Sequence, residues 1–127
     1  MEINDAKVLA EVAAGFARYE GALICNDVVT LTGLFWDSSL TFRYGIVENL
    51  HGGDEVTAFR AARSPVGLAR SLSRTVITTY GDDIAAASTL FHRDTMAGKI
   101  GCQMQSWARQ PEGWRIVAVD VGLIDAA

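Results

Sequence analysis

The chain is poor in the residues that build metal sites, disulfide frameworks and nucleic-acid surfaces. Of its 127 residues, two are cysteine, two are histidine and two are proline. Cys25 and Cys102 lie far apart with no CxxC pair, so free core thiols are the expected reading. His51 and His92 alone cannot make a zinc site, and no metal or other cofactor is expected. The formal net charge of −4 disfavours nucleic acid as a partner. Charged and polar residues interrupt every apolar run before membrane-spanning length, so no membrane partner is expected. The first residues lack the basic and apolar regions of a signal peptide, and a cytoplasmic protein is the expectation. Half of the residues are apolar, which excludes a disordered chain, and the length suits one domain over 1–127.

The apolar spacing predicts helices first and strands last. Asn4 or Asp5 caps a helix carrying Val8, Leu9, Val12, Phe16, Tyr19 and Leu23, ending near Gly21 or running on to Asn26. Asn26 or Asp27 caps a second, short helix with Val28, Val29, Leu31 and Leu34. After a turn at Trp36–Ser39, Leu40–Val47 reads as a strand. Phe42, Tyr44 and Ile46 share one of its faces and Thr41, Arg43 and Val47 the other. Leu50–His51 is a short return strand, and Asp54–Glu55 opens a third helix that Ser64–Pro65 stops. Strands follow over Leu72–Thr79, Ile84–Arg93, Lys99–Gln110 and from Trp114 to Val121 or Ile124.

This order is α+β, with three helices packed on an antiparallel meander. In the last strand Val117, Val119 and Val121 oppose Trp114, Ile116 and Ala118, so both faces carry apolar residues. One face meets the helices. The other needs a partner, and a homodimer through the outer sheet face is the economical answer.

The stretch from Trp36 to Arg70 carries the functional hint. Its arginines sit among apolar residues and glycine turns, with few acids nearby. A buried guanidinium needs a carboxylate or phosphate partner, and a small anionic ligand can be that partner even in an acidic protein.

Several segments together carry a family likeness. They are Phe16–Glu20 with Ala22–Leu23, Asn26–Asp27, Leu34–Trp36, Arg43–Gly45 followed by Glu48–Gly52, Phe59–Arg63, Arg74–Val76, Gln105–Trp107 and Gly113–Val117. On these the chain resembles the nuclear-transport-factor-2-like (NTF2-like, SnoaL or ketosteroid-isomerase-like) superfamily. Within it, the chain is most similar to the AtzH/HpxZ-like subfamily of s-triazine and oxalurate catabolism. The resemblance implies a cone of three N-terminal helices on a strongly curved antiparallel sheet. It implies decarboxylation of a small ureido dicarboxylate, 1,3-dicarboxyurea to allophanate in cyanuric acid breakdown, without metal or cofactor. It also implies a functional link to an amidase-signature hydrolase. Tyr19 and Arg43 match the proposed active pair of that family.

The residues suit such chemistry. An arginine fork anchors a carboxylate and a tyrosine hydroxyl donates to the developing charge. Each also has a structural reading: Tyr19 as a packed core tyrosine, Arg43 as a solvent-facing or structural arginine. Trp36, Tyr44, Trp107 and Trp114 are pocket wall, core or interface. His92 is a mid-strand histidine or an acid–base group. Glu48 is a partner for Arg43 or Arg60, which would answer the arginine inside the protein. Arg60 and Arg63 share a side of the third helix that is solvated by default, and Arg74 could reach the pocket mouth. The competing function is a non-catalytic binding or accessory protein for an amidase-type hydrolase in oxalurate or purine-ring catabolism.

Overall fold

A computed structural model describes residues 1–126. Helix α1 (Ala6–Ile24) starts at Asp5, whose carboxylate accepts from the Val8 amide at 3.2 Å. Its buried stripe, Val8, Val12, Phe16, Tyr19 and Leu23, follows the expected periodicity. Asp27 caps α2 (Val28–Leu34) in the same way through the Thr30 amide. Strands β1 (Phe42–Tyr44) and β2 (Asn49–His51) form a short hairpin, and α3 spans Gly53–Ala62. Then come β3 (Ser71–Tyr80), β4 (Ile84–His92), β5 (Lys99–Gln110) and β6 (Gly113–Asp125). The third helix thus follows the β1–β2 hairpin, so only two helices precede all strands.

The sheet order is β2-β1-β6-β5-β4-β3. The expected purely antiparallel sheet needs one correction: β1 pairs with β6 in parallel, Arg43 opposite Val119. Neighbours joined by a tight hairpin must run antiparallel. β1 and β6 are separated by α3 and four strands, so either direction is open to them.

A second correction concerns β6. Trp107 pairs with Ile116 and Ser106 with Ala118, so Val117 is an extra, bulged residue. The bulge reverses the side-chain alternation. Trp114, Ile116, Val119 and Val121 therefore all face the helices, not two opposite faces. A further irregularity falls between Ser73 and Val76 of β3.

The core lies between the sheet and α1 and α2. Trp107 and Ile116, both fully buried, meet Val8, Val12, Leu31 and Leu34. Gly15 of α1 lets the Trp107 ring approach, since a Cβ there would lie 3.1 Å from it. The outer sheet face keeps exposed apolar side chains, among them Val76, Ile84, Met104 and Ile124. The cysteines are free, but Cys25 is exposed and Cys102 half-buried, so neither is a core thiol. No described helix is long and apolar enough to cross a membrane.

Candidate functional site

Between the end of α1, α3 and the inner face of β1, β5 and β6 lies a cavity of about 270 Å³. That is below the usual range for drug-sized ligands, about 300–1,000 Å³, and suits a small metabolite. Tyr19, Arg43, Glu48, Phe59, Arg63, Arg70, Arg93 and Gln103 line it, with Leu23, Ile46, Val47, Phe91 and Val121 on its apolar side.

Arg43 reaches the cavity by strand alternation. Its neighbours Phe42 and Tyr44 point to the outer face and are exposed, whereas Arg43 is 6 % exposed. Its Nη1 pairs with the Glu48 carboxylate across the β1–β2 turn, and its Nε has no partner. The Glu48 carboxylate lies directly over Gly45, where a Cβ would collide with it. Glycine at that position is what allows the pair to close.

Tyr19 enters from the last turns of α1, its ring edge-on to Phe35. Its hydroxyl accepts from Arg60 Nη2 at 2.6 Å. Arg60 sits behind it, 1 % exposed, within 6 Å of the rings of Tyr19, Phe35 and Phe59. The expected solvated face of α3 is therefore wrong for Arg60. Its side chain turns inward at the same helical spacing as Val56.

Arg70 is held differently. It forks onto Glu20, Nε to Oε2 at 2.8 Å and Nη2 to Oε1 at 2.6 Å, and Nη2 also reaches Gln103 Oε1 at 3.0 Å. Phe91 lies beneath both Arg70 and Arg93. Arg63 and Arg93 have no ion-pair partner among the described residues. The site thus gathers five guanidinium groups, Arg43, Arg60, Arg63, Arg70 and Arg93, against two carboxylates, Glu20 and Glu48.

The excess positive charge shows in the proton affinities. Burial alone pushes the Tyr19 hydroxyl up, but Arg60, Arg43 and Arg70 together outweigh it and hold it below the usual tyrosine value. Burial, then repulsion from Arg60, Arg43 and Arg93, lowers Arg63 to about 10. Arg93 is lowered by burial and by Arg70. All remain cations at neutral pH.

The structure brings together Tyr19, Arg43 and Glu48 and leaves the other sequence candidates elsewhere. Trp36 lies half-buried beside a surface concavity with Asp37, Asp54 and Arg115. Tyr44 stands on the outer face, next to Phe42 and edge-on to His51. Arg74 sits in the β3 irregularity with φ of 52° and lines an outer-face groove, not the cavity mouth. His92 also points outward, its Nε2 2.9 Å from Ser73 Oγ. Trp107 is fully buried core, its indole N–H satisfied by Gln105 Oε1 at 3.0 Å. The outer groove is larger, about 710 Å³, but it is an open trough across the sheet on the side away from Tyr19 and Arg43.

Sequence reasoning points to the arginines of Trp36–Arg70 as a group but names only Arg43 among them as a site residue, leaves Arg60 and Arg63 on a solvated helix side by default, and misses Arg93. The one local signal was Arg60 and Arg63 recurring with Val56 and Phe59 on α3; Arg70 and Arg93 become neighbours only through the sheet. Among the described residues no group of three or more His, Cys, Asp or Glu side chains could hold a metal ion.

The AtzH-like family model matches residues 1–127. A protein of unknown function from Pectobacterium atrosepticum is 56 % identical over 97 % of this chain and 95 % of that one, with a TM-score of 0.94. A cystatin-like fold protein from Burkholderia xenovorans is 46 % identical over 100 % and 99 %, with a TM-score of 0.95. An NTF2-like protein of unknown function from Pseudomonas putida, 13 % identical over 93 % and 87 % with a TM-score of 0.76, shares the fold. No curated protein matches the chain.

Proposed function

The chain belongs to the AtzH-like family, and from that premise we propose that it is a cofactor-independent decarboxylase of a small ureido dicarboxylate, 1,3-dicarboxyurea going to allophanate in s-triazine breakdown. One observation carries the reading: four guanidinium groups line a small cavity, a fifth, Arg60, stands behind Tyr19, and only two carboxylates answer them. A bound dianion supplies most of the missing negative charge.

The reaction asks little beyond electrostatics. The bond between nitrogen and a terminal carboxylate carbon breaks and its electron pair stays with the nitrogen. The adjacent urea carbonyl shares the charge, the nitrogen takes one proton, and neutral CO₂ leaves. Only interactions that strengthen as this charge develops accelerate the step. Arg43 anchors a carboxylate and Tyr19 donates to the urea oxygen or relays the proton. Arg63 and Arg93, cations without acid partners, hold the carboxylate that is retained. Leu23, Ile46 and Val121 offer the departing CO₂ an apolar exit, where the carboxylate it was loses solvation.

The test is decarboxylation of freshly generated 1,3-dicarboxyurea, with CO₂ and allophanate followed by carbon NMR. A no-protein control is needed because N-carboxylates decay unaided. The expected result is acceleration that falls by about 10²-fold or more in both Tyr19→Phe and Arg43→Ala, with folding intact. No acceleration by the intact protein overturns the assignment. The Arg43–Glu48 pair favours a second reading, because it answers one arginine inside the protein. On that reading the chain binds a ureido acid and assists an amidase-type hydrolase, and the same experiment would show binding without acceleration.

The outer sheet face supports a homodimer. Apolar Val76 and Met104 lie between Arg74 on one side and Asp120 on the other, so a copy turned about a two-fold axis offers opposite charges. Light scattering at micromolar concentration should read a dimer, and a stable monomer would sink the idea.

A further inference from the structure

Arg60 stands apart from the other arginines of the cavity. It is the most deeply buried of them, with no carboxylate among the described residues to pair with it, yet its Nη2 lies 2.6 Å from the Tyr19 hydroxyl. A guanidinium has five donors and no acceptor, so the direction of that bond is fixed: Arg60 donates and the tyrosine oxygen accepts. The hydroxyl proton is thereby left free. Among the described residues it has no other partner, and Tyr19 lines the cavity. The Arg60 guanidinium is buried within 6 Å of the rings of Tyr19, Phe35 and Phe59.

We propose that Arg60 is the positioning residue that turns Tyr19 into a donor, occupying its oxygen from behind so that the O–H points at the bound anion. This rests on the anion-processing reading above. It assigns the orientation and strength of the Tyr19 hydroxyl to a residue that touches neither substrate nor the breaking bond. Two observations support it independently of the bond length. Arg60 Nε and Nη1 are buried without partners, so its charge is not spent on another group. The alternative reading, a structural arginine, would need a carboxylate, and the acids of the region are engaged elsewhere, Glu20 on Arg70 and Glu48 on Arg43. The charged groups that face Tyr19 besides Arg60 are Arg43 with Glu48 from the β1–β2 hairpin, Arg63 from the end of α3, Arg70 with Glu20, and Arg93 after β4.

The experiment reads tyrosine ionisation directly by ultraviolet absorbance in the ligand-free protein, which has only three tyrosines, Tyr19, Tyr44 and Tyr80. In the intact protein one tyrosine should ionise below the ordinary range, and Tyr19→Phe should abolish that signal. Arg60→Met, which keeps volume but removes charge and donors, should move it up by about one pH unit or more. Arg60→Gln is the second variant should the first fail to fold, and the same upward shift is required of it. Malonate, a stable dicarboxylate, should move that ionisation to higher pH in the intact protein, because its carboxylate accepts a hydrogen bond from the neutral hydroxyl and its charge opposes the phenolate. With substrate, kcat should fall by about 10²-fold in Arg60→Met and recover in part in Arg60→Lys.

A low-ionising Tyr19 that stays in place without the Arg60 charge overturns the proposal. Malonate that binds, by thermal shift, without moving the signal overturns the donor orientation. Because the titration needs no turnover, these failures are distinct from failure of the decarboxylase reading: the shifts can be found in a protein that accelerates nothing.

Discussion

The two ends of the inner sheet face are built on opposite terms. At one end Trp107, Ile116 and Trp114 meet Val8, Val12 and Leu31, and the indole N–H groups have partners in Gln105 and Glu11. What is left over there is neutral: Gln105 Nε2 and the Thr79 hydroxyl are buried without partners, but no charge is. At the other end Arg43, Arg63 and Arg93 share a small cavity with Arg60 behind Tyr19, and Arg43 Nε, Arg60 Nε and Nη1, and Arg93 Nε are buried without partners. One end is an apolar core with no unpaired buried charge. The other carries a surplus of buried cations, which the anion proposed above would balance. Unsatisfied buried polar groups persist in a native structure where function needs them, and here the excess is all of one sign.

The same contrast is visible in two buried arginines. Arg70 is forked by Glu20 and ties α1 to the start of β3; it is a structural joint. Arg60, only ten positions earlier, has an aromatic cage and a hydroxyl in place of a carboxylate.

Substitutions should separate the two ends. The largest stability effect belongs to the closed end: Trp107→Ala leaves a cavity facing Gly15 and should destabilise by about 3–5 kcal/mol in a denaturant melt. Next is the joint between the ends. Glu20→Gln leaves Arg70 without its acid and adds one more unanswered cation, and about 1–3 kcal/mol of stability should be lost. At the open end the sign reverses. Replacing Arg63 and Arg93 together by Met should leave the empty protein as stable or firmer by about 1 kcal/mol, after allowance for solvent screening. It should also abolish thermal stabilisation by malonate. Loss of stability in that double variant would mean the two cations have structural partners after all.

pH sharpens the comparison further. Tyr19 must keep its proton to donate, so kcat/KM should fall as pH rises through the Tyr19 value of the free protein, which lies below the usual tyrosine range. The corresponding limb in kcat should lie higher, because the bound dianion offsets the arginine field that favours ionisation. Trp107→Phe, at the closed end, should move neither limb. The smallest change tests the glycine under the ion pair: Gly45→Ala should push the Glu48 carboxylate off Arg43 and alter KM more than kcat, with stability lost by about 1 kcal/mol.

Much of the architecture was legible in the chain because it depends on neighbours in sequence. The stripe on α1, the Asp5 and Asp27 caps and the alternating apolar runs placed the first helices and the long strands close to where they lie. Strand β1 is shorter than its apolar run suggested, because only Phe42–Tyr44 finds partners on both β2 and β6. The face of β5 could not be chosen from its pattern. Gly101, Gln103, Gln105 and Trp107 go inward while Ile100 and Met104 go outward, the reverse of what hydrophobicity alone favours. The inward glutamines make sense only beside Arg70 and Trp107, which they bond.

The sequence by itself determined the order and type of elements, the apolar stripe that seats Tyr19, and the abundance of arginine around residues 43–74. Those follow from periodicity, capping and composition, which act within a few residues. The tertiary structure alone decided which arginines lose their water and their acids. The Val117 bulge that turns β6, the parallel pairing of β1 with β6, and the inward roll of Arg60 are all settled by packing between distant segments. Burial and long-range charge, not local pattern, set apart the arginine that is a joint from Arg60, Arg63 and Arg93, which have no acid partner among the described residues.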